Sequence, residues 1–210
     1  MQNGIVDDAV SNTPSKSPVN NVSGKSRGGF FKKTMGVLWE LLKIIIIAAL
    51  IVVPIRYFVF QPFIVKGDSM VPNLHSGDYL IVDELSYKFG EPQRGDVVVL
   101  KYPLDTTQRF IKRVIGLPGE TVQVKNGKID ILKNGKDLKL GETYLPAGLA
   151  TTGDINLTLG ADAYFVMGDN RQFSYDSRSW GALPKEDIIG KVMFRILPLS
   201  SMIYISTPKF

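Results

Sequence analysis

The chain has 210 residues, no cysteine, one histidine and a formal net charge of +5. This length suffices for one substantial domain with an appendage. The lack of cysteine excludes disulfides, thiolate zinc sites and a cysteine nucleophile, and a single histidine excludes a histidine-rich metal site. We therefore expect no metal and no cofactor. The basic residues cluster ahead of an apolar run without aromatic-basic alternation, which favours a membrane surface over nucleic acid as partner.

Residues 1–33 are rich in Asn, Ser, Gly and Lys and contain few large apolar side chains. Such a segment cannot bury enough surface to fold, so we predict a flexible tail. Its basic residues concentrate towards its end; they are Lys16, Lys25, Arg27, Lys32 and Lys33.

Residues 34–60 are predicted to form a transmembrane anchor. The run from Ile44 to Ile55 is apolar throughout. A helix over Val37–Phe58 would reach roughly 33 Å, which is enough to cross the hydrocarbon core of a bilayer. A buried core helix is the alternative, and the charges of Glu40 and Lys43 keep it open.

The basic tail predicts the orientation of this anchor. No small-x-small cleavage site follows the apolar run, which disfavours a removed signal peptide. The positive-inside rule places residues 1–33 in the cytoplasm and the chain after Arg56 outside the cell membrane, crossed once.

Residues 61–210 change to short β-rich runs between turn signals, which predicts a mostly antiparallel β domain. The predicted strands are Phe63–Lys66, Tyr79–Leu85, Asp96–Tyr102, Arg109–Gly116, Thr121–Lys125, Lys128–Leu132, Tyr164–Gly168 and Ile188–Leu197. Two Lys-Asn-Gly-Lys sequences, at 125–128 and 133–136, predict tight type I′ hairpin turns. Residues 141–162 have a mixed composition and are predicted to be loop-rich, within a small hairpin subdomain at about 120–162.

The bend Gly67–Leu74 carries a candidate nucleophile, Ser69, between a glycine and a proline. A serine nucleophile needs a base. His75 has the right residue type, but it lies across a proline-containing bend and has no evident carboxylate to orient it, which favours a surface-turn histidine.

Lys112 is the alternative base. In a strand it shares a face with Phe110 and Val114, and burial among apolar neighbours lowers the pKa of a lysine. Arg113 cannot serve, because a guanidinium does not lose its proton in proteins. A solvated lysine on a strand edge is the plainer interpretation of the same pattern.

The third stretch, residues 168–178, is either a polar turn with a surface ion pair or a polar network that orients a catalytic amine.

This stretch, the bend around Ser69 and the strand around Lys112 together resemble the sequence motifs of a known family. G-D-S-M-V-P-N-L at 67–74, F-I-K-R-V-I-G-L-P-G-E at 110–120 and G-D-N-R-Q-F-S-Y-D-S-R-S-W-G at 168–181 resemble, in order, the signature boxes of type I signal peptidases. The similarity covers roughly residues 36–200 and includes the membrane anchor.

The resemblance implies a coiled antiparallel β fold and a membrane-bound serine endopeptidase with a Ser–Lys dyad. Ser69 matches the nucleophile and Lys112 the general base. Ser174 matches a serine that hydrogen-bonds the lysine, and Asp176 and Arg178 match a supporting ion pair. The positions that match the family's shallow substrate pockets are Phe63, Ile64, Val65, Met70, Phe110 and Ile111.

The implied partners are exported preproteins with A-x-A-like cleavage sites and the lipid bilayer, without nucleic acid. Gly67 departs from Gram-negative members, in which a serine at this position helps to form the oxyanion hole; it matches many Gram-positive members. The second oxyanion donor is therefore not assigned by the resemblance. Two rival functions remain at this point: a Ser–Lys autoprotease related to the SOS repressors, and an inactive membrane-tethered module that binds peptides.

Overall fold

A computed structural model describes residues 28–58, 60–208 and 210. Helix α1 (Gly28–Phe58) contains the predicted helix and begins before it. Its segment Met35–Val53 is long and apolar enough to cross a membrane, and none of it is buried in the described structure, in contrast to a core helix. Residues 1–27, most of the predicted tail, lie outside the described residues.

The rest of the described chain is mostly β-structure. The strands are, in chain order, β1 (Phe60–Ile64), β2 (Tyr79–Asp83), β3 (Val97–Tyr102), β4 (Asp105–Gly116), β5 (Thr121–Lys125), β6 (Lys128–Lys133), β7 (Lys136–Lys139), β8 (Ile155–Thr158), β9 (Ala163–Met167), β10 (Leu183–Pro184), β11 (Ile188–Leu197) and β12 (Ile203–Tyr204). Short helices are α2 (Ser86–Phe89) and α3 (Ser177–Trp180), with 3₁₀ turns at Lys185–Asp187 and Leu199–Ser201.

These strands form two sheets with antiparallel pairing. The larger sheet has the order β1-β2-β11-β3-β4-β9-β10, with β12 beside β11. The smaller sheet has the order β7-β6-β5-β8. The architecture confirms the predicted fold class, a mostly antiparallel β domain with an apolar N-terminal helix. Strand β1 ends the path of the larger sheet and pairs with β2, and no other described strand pairs with its second edge.

The two predicted hairpin turns are present. Asn126 and Asn134 have φ of 51° and 50°, and the glycine after each also has a positive φ, as a type I′ turn requires. The prediction for residues 141–162 was wrong in part, because β8 lies within them and completes the small sheet beside β5. Its burial alternates, but a strand this short at a sheet edge leaves little periodic signal.

Buried side chains form three apolar clusters, two of which support the site. The first involves the bend Gly67–Leu74, which carries the candidate nucleophile and is called the nucleophile bend below. It joins Met70 and Leu74 of this bend to strands β2, β3 and β11. Another joins β3, β4 and β9 through residues such as Val98, Val114 and Val166. The middle of the large sheet is therefore rigidly packed where β4 presents the candidate base.

Candidate active site

The bend that carries Ser69 is pinned into the core by its neighbours. Met70 and Leu74 are fully buried. The backbone N–H groups of Asn73 and Leu74 both donate to the Met70 carbonyl, each at 2.9 Å. Because the residues after Ser69 are fixed in this way, its half-buried side chain is held at the surface of the domain in one place.

Gly67 has a specific conformational reason to be glycine. Its φ is +84°, and a Cβ there would meet no atom within 4 Å. The position therefore has room for a side chain, but its backbone conformation strains any L-residue. A serine at this position would fit the space but would be strained at this φ.

Lys112 reaches Ser69 from strand β4. Its Nζ lies 2.8 Å from Ser69 Oγ, although the two residues are 43 positions apart. The lysine is 3% exposed, and its Nζ lies 5.1 Å from the centroid of the Phe110 ring, which shares its strand face as predicted. The plainer interpretation of Lys112 as a solvated edge residue was therefore wrong.

Burial lowers the pKa of Lys112 to about 8. Desolvation is the main cause, because the ammonium form loses its hydration. The carboxylates of Asp176 and Asp169 act against this effect and the guanidinium of Arg178 acts with it, but desolvation outweighs them. A substantial fraction of the lysine is thus neutral near physiological pH.

His75 lies in the exposed turn after the bend, as predicted. Its backbone N–H donates to Asp78 Oδ2 at 2.9 Å, which shapes the turn. Among the described residues, no side chain forms a hydrogen bond with its imidazole. The structure therefore places Lys112, and not His75, in contact with Ser69.

Asp176 and Arg178 form a buried ion pair below the site. Arg178 Nε and Nη2 donate to the two Asp176 oxygens at 2.8 Å each. The Gly168 N–H also donates to Asp176 Oδ2 at 3.0 Å. Burial raises the pKa of Asp176, but Arg178 and Gly168 outweigh it and hold that pKa below the usual range. The pair therefore ties helix α3 to the end of strand β9.

The hydroxyl of Ser174 is buried close to this pair. It lies near enough to the Asp176 carboxylate to help lower the pKa of that group, but it makes no hydrogen bond of regular geometry with a described residue. The bond to Lys112 that the resemblance implied is therefore not made in this structure. Its Oγ lies against Gly168, where an added Cβ would approach it to 2.2 Å.

A second buried ion pair was missed in the sequence. Arg113 Nε donates to Asp169 Oδ1 at 2.8 Å and its Nη2 donates to Oδ2 at 2.6 Å. Asn73 Nδ2 donates to the same Oδ2 at 2.8 Å, and so joins the nucleophile bend to the pair. The period of β4 shows that Arg113 points away from Lys112, but nothing local in the sequence indicates its partner.

Arg171 links the turn after Gly168 to the segment that precedes β8. It is 1% exposed and pairs with Glu142, with its Nη1 also donating to Thr151 Oγ1 at 2.7 Å. Its Nε donates to the Gly168 carbonyl at 3.1 Å. The hydrogen bonds and the ion pair of Arg171 therefore fix the polar turn that starts at Gly168.

Gly168 has no room for a side chain. A Cβ at this position would lie 2.2 Å from Ser174 Oγ and 2.3 Å from the Ser69 carbonyl oxygen. Gly168→Ala is expected to displace the nucleophile bend and lower kcat/KM about a hundredfold or more, measured on a preprotein substrate. Gly141→Ala, which meets no atom within 4 Å, is the matched control. Near-normal activity of Gly168→Ala would show that the bend tolerates displacement.

A cleft of about 330 Å³ opens beside Ser69 and Lys112. It lies between the Phe63–Lys66 segment and strand β4. All six predicted pocket residues line it; they are Phe63, Ile64, Val65, Met70, Phe110 and Ile111. Val99, Lys66, Thr107 and Arg109 line it as well, and of these Thr107 lies on a part of β4 that was not predicted as strand.

Comparisons with known proteins identify the family of the chain. A family model described as signal peptidase, peptidase S26, matches residues 38–197. The chain is 40% identical to signal peptidase I of Bacillus amyloliquefaciens over 182 residues, 81% of this chain and 91% of that protein. It is also 40% identical to signal peptidase I T of Bacillus subtilis (strain 168), over 81% of this chain and 91% of that protein.

A crystal structure of a signal peptidase I from Enterococcus faecalis V583 is 33% identical and matches with a TM-score of 0.40, over 49% of this chain and 97% of that one. The family match spans most of the present chain, and the relatives are covered over nearly their whole length. The chain belongs to the signal peptidase family, peptidase S26, whose members are serine endopeptidases that remove signal peptides from exported preproteins.

Proposed function

We propose that this chain cleaves signal peptides with Ser69 as nucleophile and Lys112 as general base. The observation that carries the proposal is the buried Lys112 Nζ at 2.8 Å from Ser69 Oγ. At this distance a neutral amine can accept the hydroxyl proton directly, and a pKa of about 8 makes the neutral form accessible.

The reaction follows from these two groups. Ser69 Oγ attacks the scissile carbonyl carbon while its proton passes to Lys112 Nζ. The backbone N–H of Ser69 stabilises the oxyanion that forms. The Lys112 ammonium then protonates the leaving amine, which releases the mature protein. Water hydrolyses the acyl-enzyme with Lys112 again as base and releases the signal peptide.

The other site residues act around this pair. The Asp176–Arg178 pair supports the site by fixing Gly168, whose backbone lies against the nucleophile bend. Ser174 is buried beside the Asp176 carboxylate, and its hydroxyl is proposed to turn to the Lys112 amine and hydrogen-bond it once substrate alters the site.

The substrate is proposed to bind as an added strand. The free edge of β1 offers backbone N–H and C=O groups to an extended peptide, and alternate side chains of that peptide would enter the cleft. Val65, Met70 and Val99 are buried and line the cleft, so the space nearest Ser69 suits small apolar side chains. An A-x-A-like cleavage site fits this shape.

A processing assay tests the proposal. The full-length chain, purified in detergent, is incubated with a model preprotein that carries Ala-x-Ala before the mature sequence. We expect cleavage after the second alanine, identified by N-terminal sequencing of the product. Replacing that alanine by leucine is expected to block cleavage at this bond. Equal cleavage of both substrates would contradict the proposed small pocket.

The proposed location is a cell membrane crossed once, with the catalytic domain outside. Signal peptidases are membrane-associated, and α1 supplies one apolar N-terminal helix among the described residues.

The catalytic domain also has an exposed apolar patch. Ile64, Tyr79 and Leu197 are register neighbours across β1, β2 and β11, and the exposed rings of Phe194 and Tyr204 lie 5.2 Å apart. Such a surface suits contact with the bilayer.

Topology provides a separate prediction. The basic residues before Val37 favour a cytoplasmic tail, so protease added to intact spheroplasts should digest the catalytic domain and spare an epitope attached to the tail. Detergent-lysed spheroplasts, in which both parts are digested, are the control. Digestion of the tail with protection of the domain would reverse the proposed orientation.

The two rival functions are not favoured. An SOS-repressor-type autoprotease does not account for α1 or for a match to signal peptidases over residues 38–197. An inactive peptide-binding module does not account for the contact between Lys112 and Ser69.

A further inference from the structure

Asn170 holds the nucleophile residue on both sides, and the reaction described above assigns it no role. Its side-chain Nδ2 donates to the Asp68 carbonyl at 3.0 Å. Its backbone N–H donates to the Ser69 carbonyl, also at 3.0 Å. One residue thus binds the carbonyl that precedes the Ser69 Cα and the carbonyl that follows it.

The first of these hydrogen bonds bears on the oxyanion donor. The Asp68 carbonyl and the Ser69 N–H belong to one peptide unit, and this unit is not among the cis peptide bonds of the structure. In a planar trans peptide the C=O and N–H groups point in opposite directions. A donor fixed at the Asp68 oxygen therefore fixes the direction of the Ser69 N–H. Among the described residues, none accepts a hydrogen bond from this N–H.

Asn170 is itself held firmly, so it can impose this orientation. The preceding Asp169 is fully buried and paired with Arg113, and the following Arg171 is clamped by Glu142. The Asp68 carbonyl accepts one other hydrogen bond, from the Val71 N–H at 3.2 Å. The Asn170 amide adds a second donor, which also polarises the peptide and strengthens its N–H as a donor.

We propose that Asn170 is a positioning residue that aims the Ser69 N–H at the oxyanion of the transition state. It acts through the backbone and does not touch the substrate. The inference rests on the proposed role of Ser69 as nucleophile. Gly67 has no side-chain hydroxyl to contribute to the oxyanion site. In this proposal Asn170 is the protein group that preorganises that site, by fixing the direction of the Ser69 N–H.

The test compares Asn170→Ala and Asn170→Asp with the wild type in the full-length enzyme. Asn170→Ala removes the side-chain donor and keeps the backbone N–H. We expect kcat to fall about tenfold, with KM changed less than about twofold and the acid limb of the pH profile unmoved. Asn170→Asp has nearly the same shape but presents an acceptor to the Asp68 carbonyl, so its loss should be larger. Gln172→Ala, an exposed amide in the same loop, should behave as wild type.

A pair of inhibitors separates positioning from a general structural effect. A substrate-like peptide aldehyde is attacked by Ser69 and forms an adduct with an oxyanion, whereas the matching peptide alcohol does not. We expect Asn170→Ala to weaken aldehyde binding by the same factor as kcat/KM and to leave alcohol binding unchanged. Equal weakening of both inhibitors, unchanged kcat, or a shifted acid limb would overturn the inference. Full activity of Ser69→Ala would instead remove the proposed function on which it rests.

Discussion

Ser69→Ala is expected to lower preprotein cleavage by about a thousandfold or more, equivalent to about 4 kcal/mol of transition-state stabilisation. The substitution removes the one protein atom that becomes covalently bonded to the scissile carbon in the proposed reaction. Folding should be little affected, because the bend is held by Met70, Leu74 and backbone hydrogen bonds and not by the hydroxyl.

The measurement is turnover of the model preprotein by purified variants at equal concentration, with thermal unfolding as a check on folding. Ser200→Ala, an exposed serine, and His75→Ala, an exposed imidazole, are the controls and should keep at least half of wild-type activity. Substantial turnover by Ser69→Ala would eliminate the proposed nucleophile. A hundredfold loss in His75→Ala would reopen a Ser–His mechanism.

Lys112→Arg is expected to be as inactive as Lys112→Ala. The arginine keeps a positive charge and similar length, but it cannot lose a proton in this pH range and so cannot act as a base. Lys128→Arg, at an exposed position where β6 begins, is the matched control and should retain full activity. Comparable cleavage by Lys112→Arg would show that position 112 does not supply the base.

The pH profile of the wild type tests the same residue independently. A pKa of about 8 leaves about one lysine in ten neutral at pH 7, against fewer than about one in a thousand for an ordinary lysine. Because the neutral amine is the active form, kcat/KM should be highest above pH 8. It should fall about tenfold for each pH unit below that value. An acid limb near pH 10 would mean that burial does not lower this pKa.

Local features of the fold were predictable from the sequence because their causes are local. The Asn-Gly turns follow from the positive φ that a type I′ turn demands, and strand β5 follows from its alternating side chains. Strand boundaries were less predictable. Strand β1 ends at Ile64, before the predicted Lys66, because the chain turns into the bend through a left-handed Gly67.

The candidate site could be proposed from three short stretches, and all of the predicted cleft residues line one cavity. What the sequence determined was which residue types were present and which shared a strand face. It predicted that Phe110 would lie beside the amine of Lys112, because side chains two apart in a strand lie on the same face.

Only the tertiary structure decided the distances and the partners. Lys112 meets Ser69 because of how β4 is aligned with its neighbours. Lys112 pairs with Val98 of β3, and Arg113 pairs with Met167 of β9, just before the Gly168 turn. The Arg113–Asp169 pair and the contact of Asn170 with the nucleophile bend depend on that same register. Register between strands far apart in sequence is set by the summed packing of the core, so no local pattern could reveal these contacts.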